Sequence, residues 1–150
     1  LFTMDASGTG QGAILNFDPT ALNYSVNSAT NPAIKGTTIA VLYLTGYGLT
    51  NCVDIPASGS TPASPCNAGA TVLNLISGNI SPQLAVAVTI GGLPAPGAVA
   101  QAPLGSVPGL MQVNVPVPSG VSSGNALVAV TLGTGAAAAT TQGNVTMAIK

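Results

Sequence analysis

Between Gly109 and Gly133 the chain reads GLMQVNVPVPSGVSSGNALVAVTLG, and its apolar residues recur at every second position. Across 110–115, Met111, Val113 and Val115 share one side while Gln112 and Asn114 share the other. Across 126–132, Val128, Val130 and Leu132 alternate with Leu127, Ala129 and Thr131. A period of two puts successive side chains on opposite faces of an extended strand, and β-branched residues pack well on such a pleated surface. Pro116, Pro118, Ser119, Gly120, Ser122, Ser123 and Gly124 lie between the two runs and supply turn chemistry with few ladder donors. The stretch therefore predicts a β-hairpin.

The same pattern recurs elsewhere. Residues 13–17 alternate Ala13, Leu15 and Phe17 against Ile14 and Asn16. Asp18-Pro19-Thr20 then supplies a turn, and 21–27 reads as the return strand. Residues 37–45 (TTIAVLYLT) are apolar on both sides, which predicts a central strand, or one covered by a neighbouring subunit as well as its own core. Further strands are expected at 70–76, at 84–90 with Val86, Val88 and Ile90 facing the core, at 98–102, and at 144–150. Residues 133–142 are too short and too poor in charge and caps for a helix. About seven to nine short strands with Gly/Pro turns and no amphipathic helix predict an all-β, Ig-like antiparallel β-sandwich. At 150 residues the chain is one domain's worth, with 1–12 as an N-terminal segment able to extend away.

Charge sets this chain apart. Its only ionic side chains are Asp5, Asp18, Lys35, Asp54 and Lys150, 3% of residues against roughly a quarter in an ordinary globular protein. The net charge of −1 offers no basic patch to nucleic acid or to an anionic membrane. A neutral surface also has little repulsion to keep copies apart. Mean hydropathy is +0.56, yet the best candidate span, 84–104, contains Gly91, Gly92, Pro94, Pro96, Gly97 and Pro103. Those residues break a helix of the roughly 20 residues needed to cross a bilayer. The chain opens at Leu1 without a signal-like stretch, which reads as a processed or excised chain.

Cys52 and Cys66 bracket a Pro/Ser-rich loop, and no histidine exists to complete a zinc site. A disulfide closing that loop contributes on the order of 3 kcal/mol in the chain-entropy picture and implies an oxidising compartment, hence export. Two free buried thiols are the alternative. General acid–base catalysis lacks candidates, and a serine nucleophile has only Lys35 and Lys150 as bases. Gly8-Thr9-Gly10-Gln11-Gly12 has glycines at phosphate-loop density but lacks the following Lys-Ser/Thr. Asp5, Asp18 and Asp54 read as turn caps before calcium ligands. No enzyme, cofactor or metal is expected. Asn23, Asn79 and Asn144 each begin an N-glycosylation triplet, and Ser/Thr-rich loops offer O-linked sites, so glycans are a second partner class.

Four segments together carry a resemblance: 1–15 (LFTMDASGTGQGAIL), 27–48 (NSATNPAIKGTTIAVLYLTGYG), 86–96 (VAVTIGGLPAP) and 110–130 (LMQVNVPVPSGVSSGNALVAV). They resemble the Solibacter-type C-terminal domain found at the ends of long secreted bacterial proteins. The 45–48 and 90–95 pieces are also similar to Ig-like IPT/TIG modules. The resemblance implies export and an Ig-like sandwich, and it brings no catalytic residues. The chain departs from that family in its scarcity of charge and in the 52–66 loop, which looks like an insertion. In the family the LFT segment continues from an upstream Pro-Gly, so a free-standing domain would be a further departure.

Two functional readings follow. In the first, the chain is a structural subunit of an extracellular bacterial filament that polymerises head to tail by β-strand complementation between copies. The expected donor is 1–17, with Leu1, Phe2, Met4, Ala13, Leu15 and Phe17 as contact residues and 5–12 as hinge. In the second, it is a non-catalytic adhesive or carbohydrate-binding Ig-like module whose loops at 52–66 and 94–108 carry recognition.

Overall fold

The computed structural model describes residues 1–46, 81–103, 106 and 109–150. Eleven strands occur among them: β1 (Gly10–Gln11), β2 (Leu15–Asp18), β3 (Asn23–Val26), β4 (Ile39–Thr45), β5 (Val86–Ile90), β6 (Leu93–Pro94), β7 (Val99–Gln101), β8 (Leu110–Pro116), β9 (Gly124–Leu132), β10 (Ala139–Thr140) and β11 (Val145–Ile149). The count exceeds the expected seven to nine because β1, β6 and β10 are two-residue pairings that alternation cannot register. One 3-10 turn, Gly135–Ala137, is the only helical element among the described residues.

The strands form two sheets. One runs β1-β11-β9-β5-β6, with β10 also on β9; the other runs β3-β2-β4-β8-β7. Pairing is antiparallel except at β1–β11, which is parallel. A single aliphatic cluster joins the two sheets. Ala40, Leu42, Leu44, Met111, Val113 and Val115 come from one, and Val88, Ile90, Val128, Val130, Met147 and Ile149 from the other. Each fully buried Leu, Ile, Val or Met of this kind contributes about 1.5–3 kcal/mol relative to exposure. The architecture is an all-β sandwich, with β4 central between β2 and β8 as its two-sided apolar pattern requires.

The expected 110–132 hairpin does not form. β8 pairs with β4 and β7, while β9 pairs with β5, β10 and β11, so residues 117–123 arch from one sheet to the other. Alternation places one apolar face inward in a hairpin and in an arch alike. The choice is made in the bridge. Val117 and Val121 are each only 2% exposed and draw the connection across the core. Val117 also stays bonded to β4's approach, its N–H donating to Thr38 O (3.0 Å) and its C=O accepting from Gly36 N (2.9 Å).

The β2–β3 hairpin does form, and Asp18 builds its turn by accepting Thr20 N–H (2.8 Å) and Ala21 N–H (3.1 Å) on Oδ1. β9, β10 and β11 make a second, interrupted hairpin. From Thr140 to Thr146 the return arm uses six residues, against four from Thr131 to Leu127, leaving a two-residue bulge.

One polar side chain is fully buried at this end of the sandwich. Asn27 donates from Nδ2 to Asn16 Oδ1 (2.9 Å) and Ala148 O (2.9 Å), and its Oδ1 accepts Ala148 N–H (2.8 Å) and Gln11 Nε2 (3.0 Å). Its amide pairs with Ala148 as a neighbouring strand's peptide group would. It thereby ties the β3 exit to β11 across the sheet boundary.

Candidate self-association surface

In β2 and the residue before it, the core-facing residues are Ile14, fully buried, and Asn16, 7% exposed. Strand alternation then turns Ala13, Leu15 and Phe17 outward. Register extends this outward face across the sheet. Val26, Leu15, Val41, Asn114 and Val99 form one row; Tyr24, Phe17, Ile39 and Pro116 form a second. Tyr43, Gln112 and Gln101 form a third. Val41 sits mid-grid, 1% exposed although it lies outside the core cluster. No ionisable group other than the two tyrosines stands in the grid.

All four described aromatic residues gather here or at its margin, and none lies in the core. Tyr24 is 60% exposed and Phe2 43%, while Phe17 and Tyr43 are half-buried. The Phe17 and Tyr24 rings meet at 4.7 Å between centroids, tilted 36°. Partial burial, followed by the nearby Tyr24, raises the Tyr43 hydroxyl above its ordinary pKa. Gln112 Nε2 donates to Asn114 Oδ1 (2.8 Å), so the polar part of the face is a fixed amide pair.

The N-terminal segment closes the end of this surface. If β2 kept its register with β4, Leu15↔Val41 would bring Ala13 opposite Tyr43. Instead Phe2 stands in the fork, its N–H donating to Tyr43 O (3.0 Å) and its C=O accepting Ala13 N–H (3.0 Å). Thr3 bridges Gly12, and Met4 N–H donates to Gln11 O (2.9 Å). Gly12 is required by this crossing: a Cβ there would lie 2.6 Å from Ile14 Cδ1 and 3.0 Å from Val145 Cγ1.

The six expected contact residues therefore divide. Phe2, Ala13, Leu15 and Phe17 belong to one surface, Leu1 packs inward against the core cluster, and Met4 is 58% exposed beside Gln11. Tyr24, Val26, Ile39, Tyr43 and Val99 join them through register, which no single strand's alternation reveals. Asn23, at the start of β3, and Asn144, at the β11 bulge, are both exposed. Cys52, Cys66, Asn79 and the strand expected at 70–76 lie outside the described residues.

The sheet edges are unequally guarded. β6 is two residues long and contains Pro94, β7 lies between Pro96 and Pro103, and β1 is a two-residue strand bonded to Met4. β3 carries no proline and no charge, and Leu22, Tyr24 and Val26 are 75%, 60% and 48% exposed. Among the described residues its far end is covered by Asn31, whose Nδ2 donates to Val26 O (2.7 Å) and Ser25 Oγ (2.9 Å).

Among the described residues no group of three or more His, Cys, Asp or Glu side chains comes together. Asp5 caps its own turn by accepting Ser7 N–H (3.0 Å), which holds its carboxyl below the usual range. The open depression between the Gly91-Gly92 turn and residues 121–127 is lined by hydroxyls, an amide and apolar atoms, with Lys35 Nζ on the Ser123 hydroxyl (3.4 Å). Among the described residues no helix is long and apolar enough to cross a membrane. No family model, curated protein or solved structure matches the chain.

Proposed function

We propose that this chain is a self-assembling structural subunit: an exported, Ig-like sandwich that builds an extracellular bacterial filament by β-strand complementation between copies. The observation that carries the proposal is where the aromatics sit. A chain this poor in large residues assembles its core from Val, Leu, Ile, Met and Ala, and leaves all four described rings on or beside an uncharged outer face. Large rings are the strongest source of apolar stabilisation per residue, and interfaces concentrate them.

Size decides how the face is used. Five strands at about 4.8 Å spacing and rows spanning about 17 Å bound the face at roughly 400 Å², and the open apolar part is smaller, because only one row spans all five strands and Val41 at its centre is 1% exposed. A stable interface needs about 800 Å² per partner. The face alone supports a weak contact, and main-chain pairing at a sheet edge supplies the remainder. Among the described residues, β3 and the N-terminal fork are the edges at hand.

Light scattering after size exclusion across a concentration series, with negative-stain imaging of the largest species, tests this reading. Concentration-dependent growth into fibres is the expected result. A single-chain particle at millimolar concentration would refute it.

The alternative, an adhesive or carbohydrate-binding module, draws support from the Phe17–Tyr24 ring contact within the same sheet face as the Gln112–Asn114 amides, a pairing of stacking surface with fixed hydrogen-bonding groups. It predicts monomers whose tyrosine fluorescence responds to oligosaccharides. Glycans attached at Asn23, Asn79 or Asn144 belong to the same proposal of an exported chain, and an intact mass above the sequence mass reports them.

A further inference from the structure

We propose that the fork closed by residues 1–4 is the site that joins subunits: the same four residues of a second copy occupy it in trans, by exchange of the N-terminal strap between chains. This rests on the self-association reading above and adds which strand moves and where it lands.

Few bonds hold the strap, residues 1–4, in the fork. Three main-chain hydrogen bonds hold it, Phe2 N–H to Tyr43 O, Ala13 N–H to Phe2 O and Met4 N–H to Gln11 O. Gln142, from the β10–β11 bulge, adds a side-chain bond from Nε2 to Leu1 O. Beyond it the chain is fixed again, with Gly10 N–H on Asn144 O (2.7 Å) and Gly12 N–H on Thr146 O (2.8 Å). Residues 10–18 belong to the two sheets, so the exchangeable piece ends before Gly10. This narrows the 1–17 donor expected from sequence.

The occupant follows from these contacts. The fork is complementary to Leu1–Phe2–Thr3–Met4 because it already holds that segment, and a second copy carries an identical one. The half-buried Leu1 gives up the same surroundings in one chain that it regains in the other, whereas Thr3 also gives up two bonds from the linker, Ala6 N–H to Thr3 O (3.2 Å) and Gly8 N–H to Thr3 Oγ1 (3.0 Å). What differs between the closed and exchanged forms is the linker, residues 5–9. In the closed form Ala6 is held at φ 58, the left-handed region that L-residues resist. An extended linker releases it. Five residues reach at most about 17 Å, so donor and acceptor copies must touch. Exchange passed from each copy to the next leaves one strap and one fork free at the ends, and so continues as a fibre rather than closing.

The test uses full-length chains. A photoreactive benzophenone amino acid replaces Phe2 in unlabelled chain, which is mixed with isotopically heavy chain, unfolded, refolded at high concentration and illuminated. Crosslinks from position 2 of the light chain to residues 11–13 or 41–43 of the heavy chain are expected in the assembled fraction. In parallel, Ala6→Gly removes the strain from the closed hinge and should lower the association constant about five- to thirtyfold per exchanged strap.

Assemblies that yield only light-to-light crosslinks, or an association constant that Ala6→Gly leaves unchanged, would overturn the exchange while self-association stands. Light-to-heavy crosslinks confined to closed dimers would keep the strap in trans and overturn its head-to-tail use. Particles that never exceed one chain would overturn both.

Discussion

Replacing Asn27 by alanine tests whether this charge-poor sandwich depends on the one polar side chain that is 0% exposed among the described residues. Removing the amide takes away four hydrogen bonds, but their partners fare differently. Ala148 O keeps Ala33 N–H (2.9 Å), and Gln11 Nε2 keeps Asn27 O (3.3 Å). Ala148 N–H and Asn16 Oδ1 lose the partners described above, at residues 3% and 7% exposed. A buried group left unsatisfied costs about 1–3 kcal/mol, so Asn27→Ala should cost about 2–6 kcal/mol. That is a large share of the roughly 5–15 kcal/mol holding a domain together.

The assay is urea unfolding followed by far-UV circular dichroism, at concentrations low enough that association does not add to stability. The midpoint should fall with the slope unchanged. Asn27→Asp sharpens the test, because a carboxylate there turns an acceptor toward Ala148 O and Asn16 Oδ1. Burial raises such a carboxyl's folded pKa, so its variant should be most stable below the unfolded value of about 3.9 and lose stability as pH rises through the folded one. A cost under about 1 kcal/mol for Asn27→Ala, or an Asn27→Asp variant insensitive to pH, would refute the reasoning, since water would then be replacing the amide.

Gly12→Ala should destabilise the fold by about 1–3 kcal/mol, seen as a lower thermal midpoint, because its methyl must displace Ile14 and Val145 in packed surroundings. Phe17→Ser combined with Tyr24→Ser should weaken self-association about tenfold in light scattering while leaving the monomer's unfolding midpoint close to the parent's, since neither ring lies in the core. Side chains should add almost no pH dependence to stability from about pH 5 to 7, as the chain has no histidine. Below that window the lowered Asp5 pKa means its contribution disappears as pH falls through the folded value. Above it, the raised Tyr43 pKa means its contribution, full below the ordinary tyrosine value, is lost as pH climbs through the folded one. Thermal midpoints across a pH series check all three statements.

Much of the strand content was legible because a period of two is a local property. β4, β5, β8, β9 and β11 lie where alternation of Val, Leu, Ile and Met puts them, and Asp18-Pro19-Thr20 marks a turn that Asp18 does build. The candidate surface was half legible. Ala13, Leu15 and Phe17 share a face in any extended strand, but that the face is the outer one depends on Ile14 being buried.

Sequence by itself determined that this chain folds as strands, that its core is aliphatic, and that its surface carries almost no charge, since all three follow from residue type and spacing. Tertiary structure alone decided partnership. Residues 110–132 contain two good strands in either a hairpin or an arch, and only the inward pull of Val117 and Val121 sends them to opposite sheets. Likewise Phe17 meets Tyr24 and Ile39 through hydrogen-bonded register, and Phe2 fills a fork that exists only because β2 leaves β4. Alternation records which residues share a side, while which sides meet is set by packing between segments far apart in the chain.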